Sequence, residues 1–200
     1  MTKNIEKSVL KRIQGSGRGS VFTPKQFSDL GSRDAIDKSL SRLASNAILR
    51  RLARGLYYYP QNHPILGEIA PSAEKIAKAL SDRDQARLQP AGAYAANLLG
   101  LSEQVPAKVI FLTDGPSRIV RIGSMAIQLR QTTPRNMASA GRLSGLLTQA
   151  LRHLGKSQIT PKQVMQLKRT LPAKERKTLL RDLKLAPAWM HPIFRELAKE

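Results

Sequence analysis

The 200-residue sequence contains no cysteine, few aromatic residues and few acidic residues. The absence of cysteine excludes disulfide frameworks, thiolate zinc sites and cysteine nucleophiles, and it fits a reducing compartment. No apolar run is long enough for a signal peptide or a membrane span, so we expect a soluble cytoplasmic protein without a membrane partner. Hydrophobic residues still make up 41% of the chain, which is enough for a folded core.

The shortage of acidic residues leaves a large positive charge. Lysine and arginine total 34 against 14 aspartates and glutamates, which gives a formal net charge of +20 at pH 7. The charge is concentrated at the two ends, because residues 1–60 carry a net +8, residues 61–140 a net +3 and residues 141–200 a net +9. Clustered cations bind polyanions through counterion release, so nucleic acid is the first partner that the composition indicates.

Residues 1–60 show the order of elements that is typical of a winged helix-turn-helix. Apolar residues at helical spacing predict a first helix up to Gly15, and Thr23-Pro24 opens a short second helix that ends at Gly31. Ser32 then caps a third, amphipathic helix, and two extended runs around Gly55 predict a basic hairpin, the wing. In this fold the third helix enters the major groove of DNA while the wing contacts the backbone.

The outward side of the third helix and the wing supply the candidate DNA-binding residues. Arg33, at the start of the helix, is our first candidate for a residue that reads a base edge, whereas wing arginines lie where wings contact phosphates. Since one short helix reads only a few base pairs, we expect double-stranded DNA with an inverted repeat as the target. A solvated basic helix beside an unrelated hairpin is the alternative interpretation. The candidates are Ser32, Arg33, Lys38, Ser41, Arg42, Arg50, Arg51 and Arg54.

The rest of the chain predicts a second domain of mixed structure. The two prolines of Pro60–Pro64 predict a linker, so we expect one domain at residues 1–60 and another at 65–200. Helical patterns at residues 71–80 and 90–99 are followed by a strand at 108–112 and a hairpin that joins 118–122 to 125–130 through Gly123-Ser124. Leucine-rich helices follow from Leu143. The predicted class is α+β, with a winged helix, a short antiparallel sheet and a helical C-terminal region.

Residues for catalysis or metal binding are hard to find in this sequence. His63, His153 and His191 belong to no metal-binding motif, and Gly15-Ser16-Gly17 is not a nucleophile elbow. Asp82 and Asp84 could bind a metal-nucleotide, but they fit an exposed helix end better. We therefore predict a protein that is not an enzyme and has no metal and no cofactor.

Several segments of the sequence follow a pattern found in a known family. They are Val21–Arg33, Leu40–Leu43, the wing Ile48–Tyr57 with its Arg-Gly-Leu-Tyr sequence, Pro90–Leu101 and Leu183–Trp189. These segments are spread from residue 21 to residue 189, a span that includes most of the chain, and they resemble AbiEi-type antitoxins, including the related DUF6088 proteins, which are components of bacterial toxin-antitoxin systems. The resemblance implies a DNA-binding repressor of its own operon, with a role in phage defence, whose C-terminal part counteracts a cognate toxin that is typically nucleotidyltransferase-like.

A second basic run gives this implied antitoxin activity a physical candidate. Lys174, Arg176, Lys177 and Arg181 could contact an acidic patch on the toxin or compete for its nucleotide or RNA substrate. A solvated helical face and additional DNA backbone contact are the alternatives. The competing function for the whole chain is a structural RNA-binding or ribosome-associated protein, which would explain the charge equally well. The low aromatic content disfavours it, since RNA-binding sheets present stacking aromatics.

Overall fold

Helices and strands alternate along the chain, and the α+β class predicted from the sequence is confirmed. A computed structural model describes residues 2–199, with side chains from Asn4 onward. The chain divides into two compact units, residues 1–85 with 120–123 and residues 86–119 with 124–200.

The first unit begins with helices packed on a small sheet. Its first elements are α1 (Thr2–Ser16), β1 (Val21–Phe22), a 3-10 helix (Pro24–Phe27), α2 (Arg33–Ser45), β2 (Arg50–Ala53) and β3 (Leu56–Tyr58). Strand β3 lies between β1 and β2 and is antiparallel to both. Apolar faces of both helices meet the sheet in a core that contains Val9, Ile13, Phe22, Phe27, Ile36, Leu40, Leu43, Leu49 and Tyr57.

The start of α2 and the turn of the β2–β3 hairpin follow from local sequence. The Ser32 hydroxyl accepts a hydrogen bond from the Ala35 amide (3.4 Å), which caps the helix as predicted. Gly55 has a φ of +68° in the hairpin turn, a left-handed conformation that glycine adopts without steric cost. The predicted short helix before α2 is the 3-10 helix, so α2 corresponds to the third helix of the sequence prediction.

The segment predicted as a linker is instead part of the first unit. Residues 61–63 form β4 (Gln61–His63), which pairs antiparallel with β5 (Gly67–Ile69), and α3 (Ala73–Asp84) follows. The buried Tyr58 holds this hairpin, because its hydroxyl donates to the Ile69 carbonyl and accepts from the Gln61 amide. Lys75 on α3 also donates to the Gly19 carbonyl (2.9 Å). The bond between Lys75 and Gly19 joins residues 56 positions apart, so the proline pattern alone does not reveal it.

The second unit contains a mixed sheet, whereas the sequence predicts an antiparallel one. Its elements include β6 (Leu88–Ala91), α4 (Gly92–Leu98), β7 (Lys108–Thr113) and β9 (Met125–Gln131). Strand β8 (Arg118–Ile122), of which residues 120–122 are grouped with the first unit, completes the strand order β6-β7-β9-β8. Strand β6 is antiparallel to β7, but β7 and β9 are parallel because β9 lies between β7 and β8. Residues 90–91, predicted as helix, belong to β6, which is an edge strand. Proline has no backbone N–H to donate, and an edge strand tolerates Pro90 because its outer side has no neighbouring strand to bond.

The C-terminal part is helical, as predicted. It comprises α5 (Pro134–Met137), α6 (Leu143–Leu154), α7 (Pro161–Thr170), α8 (Ala173–Thr178) and α9 (His191–Ala198), with 3-10 helices at Lys156–Gln158, Leu179–Leu185 and Ala188–Met190. Leu147 and Leu151 of the predicted leucine stripe are fully buried, together with Leu179, Met190 and Phe194. Within residues 2–199 no helix has the length and apolar character needed to cross a membrane.

Candidate nucleic-acid interface

One side of α2 packs into the core and the other side carries polar residues. Ile36, Leu40 and Leu43 are buried, whereas Lys38 and Ser41 are exposed. Since residues four apart lie on the same side of a helix, a row that starts at Arg33 and ends at Ser41 runs along the side of α2 that faces the β2–β3 hairpin.

A groove lies between this row and the hairpin, and we call it the α2–hairpin groove. Its volume is about 260 Å³. The structure thereby brings together two predicted residues of the helix and two of the hairpin, although they are up to 21 positions apart in the sequence. The lining residues are Arg33, Asp37, Ser41, Arg51, Arg54, Gly55 and Tyr57.

A larger cavity extends the cationic surface beyond this groove. It has a volume of about 640 Å³, shares Arg33 and Arg54 with the groove, and adds Lys25 and Arg83. No acidic side chain occurs among the residues that line it. Sequence reasoning missed Lys25 and Arg83, because they meet only in the folded unit, where the Lys25 ammonium donates to the Arg83 carbonyl (2.9 Å). The surface therefore offers several cations to a polyanion over more than one cavity.

The cations of the groove differ in their partners. Arg33 Nε donates to Asp37 Oδ2 at 2.8 Å, one helical turn away on the same helix. Arg51 and Arg54 are exposed, and neither forms an ion pair with a carboxylate in the described part of the chain. Asp37 was not a predicted site residue, although its i, i+4 spacing from Arg33 is visible in the sequence.

The structure places the remaining predicted DNA-binding residues elsewhere. Arg50 points to the opposite side of the hairpin, where its guanidinium contacts Glu68 Oε2 at 2.9 Å. Arg42 lies on the flank of α2 near α1 and contacts Glu6 Oε2 at 3.5 Å. The Ser32 hydroxyl caps α2, and Lys38 is exposed on the outer side of the helix. Neighbouring residues of a strand face opposite sides, which separates Arg50 from Arg51.

A bidentate ion pair fixes the segment that precedes α2. Both terminal nitrogens of Arg12 on α1 donate to the Asp29 carboxylate, each at 2.6 Å, and Arg12 also donates to the Gln26 carbonyl at 2.8 Å. The hydrogen bond from Arg12 lowers the pKa of Asp29 from 3.8 to about 2. The pair thus links α1 to the turn that leads into α2.

The four basic residues predicted for toxin antagonism have different environments. Arg176 is half-buried and donates to the carbonyls of Leu171 (3.2 Å), Leu197 (2.7 Å) and Lys199 (2.9 Å), so its guanidinium ties α8 to the end of α9. Lys174, Lys177 and Arg181 are exposed.

Arg181 also lines a cavity of about 470 Å³ beside the start of α6. In that cavity the buried Asp182 accepts hydrogen bonds from Arg142 Nη1 (2.6 Å) and from the Ser144 hydroxyl. Both donors lie at the start of α6, so Asp182 links the 3-10 helix Leu179–Leu185 to the N-terminal end of α6, where a negative charge is favourable.

The two aspartates considered for metal binding lie at the end of α3. Asp82 is paired with Lys78 (3.2 Å), and Asp84 with Arg83 (3.2 Å). Over residues 2–199, histidines and carboxylates form no group of three that could hold a metal ion.

The fold and this surface define a basic α+β protein with a cationic groove beside a helix. The chain belongs to the DUF6088 family, a family of unknown function whose model matches residues 8–179. No curated protein matches the sequence. Among solved structures, the crystal structure of the RV2827C protein from Mycobacterium tuberculosis is similar, with 15% identity and a TM-score of 0.43 over 90% of this chain and 78% of that chain.

Proposed function

We propose that the first unit binds duplex DNA as a winged helix-turn-helix, with α2 as the recognition helix and the β2–β3 hairpin as the wing. The observation that carries this proposal is the α2–hairpin groove, where Arg33 and Ser41 of the helix face Arg51 and Arg54 of the hairpin. The order of helix, strand, short helix, helix and hairpin supports the same fold.

Each side of the groove has a separate role in this proposal. Arg33 lies in the first turn of α2, and the N-terminal residues of a recognition helix are those that contact base edges. Arg51 and Arg54 contact phosphates. Phosphates attract cations that have no carboxylate partner, whatever the base sequence of the DNA. Arg42 and Arg50 contribute less, since each is already paired with a carboxylate within its unit.

We further propose that the chain is an antitoxin of the AbiEi type. In this role it represses its own operon at an inverted repeat, and its second unit counteracts a cognate nucleotidyltransferase-like toxin. The resemblance of the wing and of segments in the second unit to AbiEi-type antitoxins supports this role, and membership of DUF6088 is compatible with it. The exposed Lys174, Lys177 and Arg181 form the proposed toxin-facing surface, and Arg176 supports it from within.

Salt-dependent titrations of the full chain on duplex DNA test the DNA-binding part of the proposal. We expect Arg51→Ala and Arg54→Ala to weaken binding to every duplex and to reduce the salt slope by about 1 each. Arg50→Ala is the matched control from the same hairpin, and we expect a smaller change because Arg50 is paired with Glu68.

A structured RNA of equal length serves as the competitor in the same titrations. Preferential binding to RNA, with equal losses for Arg50→Ala and Arg51→Ala, would contradict the proposed DNA interface. That outcome would favour the RNA-binding alternative.

A further inference from the structure

We propose that Asp37 is a positioning residue that orients Arg33 to read a guanine, and that it thereby sets part of the sequence specificity of the α2–hairpin groove. The inference rests on the proposed DNA-binding function and assigns a role to a carboxylate within that interface.

The geometry of the pair leaves one side of the guanidinium available. The bond from Arg33 Nε to Asp37 Oδ2 (2.8 Å) uses the inner nitrogen, and the two terminal nitrogens have no partner among the residues that the structure describes. Guanine presents O6 and N7 in the major groove, and an arginine contacts both with two parallel N–H groups. A guanidinium held at Nε therefore presents a suitable pair of donors.

The position of Asp37 also argues against a purely stabilising role. The Arg33 side chain is 70% exposed and the Asp37 side chain 44% exposed, and exposed i, i+4 pairs contribute little to stability. A carboxylate in a groove that binds a polyanion lowers the affinity for every duplex through like-charge repulsion. Restricting Arg33 to one orientation before binding reduces the entropy lost when it contacts a base.

The neighbouring arginines provide a contrast within the same groove. Arg51 and Arg54 have no carboxylate partner in the described part of the chain, as expected for side chains that follow phosphates without a fixed geometry. Of the three arginines that line this groove, Arg33 alone is held by a carboxylate in the described part of the chain, and that carboxylate lies on its own helix. The groove therefore combines one arginine held by a carboxylate with two that have no carboxylate partner among the described residues.

Asp34 offers a matched control for the charge of Asp37. It is exposed in the first turn of the same helix, carries the same charge, and forms no ion pair among the residues that the structure describes. Replacing either aspartate by alanine removes one negative charge near the DNA, but only Asp37→Ala releases Arg33.

The experiment selects preferred duplexes from a random library with the full wild-type chain. Dissociation constants are then measured on the preferred duplex, on single-position variants of it and on scrambled DNA. For Asp37→Ala we expect the preference for guanine at one position to fall about tenfold or more. Binding to scrambled DNA should become tighter.

Companion variants separate geometry from charge. Asp34→Ala should tighten binding to all duplexes alike and leave the preference unchanged. Asp37→Asn, which retains an accepting oxygen, should keep most of the preference. Arg33→Ala should lose the preference at the same position, and adding Asp37→Ala to it should cause no further loss.

The outcomes distinguish this inference from the proposed function on which it rests. A wild-type chain that binds no duplex, or binds all duplexes equally, would contradict the sequence-specific DNA binding. A wild-type preference that persists in Asp37→Ala, or that disappears equally in Asp34→Ala, would overturn the role of Asp37 while leaving DNA binding intact.

Discussion

Arg12 and Asp29 show how a single ion pair affects the first unit. The Asp29 carboxylate accepts two hydrogen bonds from Arg12, and this lowers its pKa from 3.8 to about 2. Because the folded-state pKa lies below that of the unfolded chain, the pair contributes stability in full above pH 4. The contribution disappears as the pH falls towards 2 and the carboxylate becomes protonated.

We therefore predict that Asp29→Asn lowers the stability of the protein at pH 6 and that this difference shrinks below pH 4. The measurement is the urea midpoint of the wild type and the variant, followed by circular dichroism between pH 2 and 7. Arg12→Ala should show the same pH-dependent loss together with a constant loss from its bond to the Gln26 carbonyl, and the double variant should lose no more than Arg12→Ala alone. A stability difference that is constant over this range would show that the ion pair is not its cause.

The carboxylate partners of the arginines are only partly predictable from the sequence. Asp37 lies one turn from Arg33, so their pairing can be read from the sequence. Glu6 and Glu68 reach Arg42 and Arg50 only after α1 and β5 have packed beside α2 and the hairpin. From the sequence, Arg50 and Arg51 are both predicted to contact DNA. In the structure they face opposite sides of the hairpin, because successive side chains of a strand alternate.

At the scale of elements, α6 meets its neighbours at a glycine. A Cβ atom on Gly145 would lie 2.3 Å from the Ser139 carbonyl oxygen and 2.5 Å from Gln89 Oε1. The carbonyl is backbone and cannot rotate away, so a larger residue would force α6 to shift. Glycine is therefore required by close packing even though it weakens a helix.

Gly145→Ala should accordingly destabilise the protein by about 1–3 kcal/mol, because overpacking outweighs the gain of about 1 kcal/mol in helix propensity. Gly15→Ala in α1 is the control, since a Cβ there has no atom within 4 Å. We expect Gly15→Ala to be neutral or stabilising by up to about 1 kcal/mol. Calorimetric melting of both variants checks the prediction, and a stabilising Gly145→Ala would contradict the packing argument.

Elements that depend on local signals were predictable from the sequence. Ser32, the 3.6-residue spacing of α2 and Gly55 specified the capped helix and the hairpin turn. Strand β6 was missed because Pro90 and the alanines after it resemble a helix start, and only pairing with β7 makes residues 88–91 extended. The parallel pairing of β7 with β9 joins strands that are not connected by a hairpin turn, so the turn residues in the sequence do not predict it.

At the scale of the whole molecule, the boundary between the units differs from the predicted one. The first unit extends to Gln85 because α3 buries Ile76, Ala77 and Leu80 and because Lys75 bonds to Gly19. A fragment of residues 1–60 would lose these contacts, whereas residues 1–85 retain them. We therefore expect the two proposed functions to divide at residue 85, with residues 120–123 as the segment of the first unit that lies beyond this point.

We predict that residues 1–85 bind the operator without neutralising the toxin and that residues 86–200 neutralise the toxin without binding the operator. The α2–hairpin groove, which we propose to bind DNA, lies wholly within the first fragment, and the exposed Lys174, Lys177 and Arg181 lie in the second. Co-expression of each fragment with the proposed cognate toxin measures rescue of growth, and titration on the duplex preferred by the full chain measures binding. Charge reversal of the three exposed residues in the full chain should reduce rescue but not operator binding, provided that Arg176 is kept to hold α8 against α9. Rescue by residues 1–85 alone would contradict the division, and full rescue by the charge-reversed chain would remove this basic surface from the mechanism of toxin antagonism.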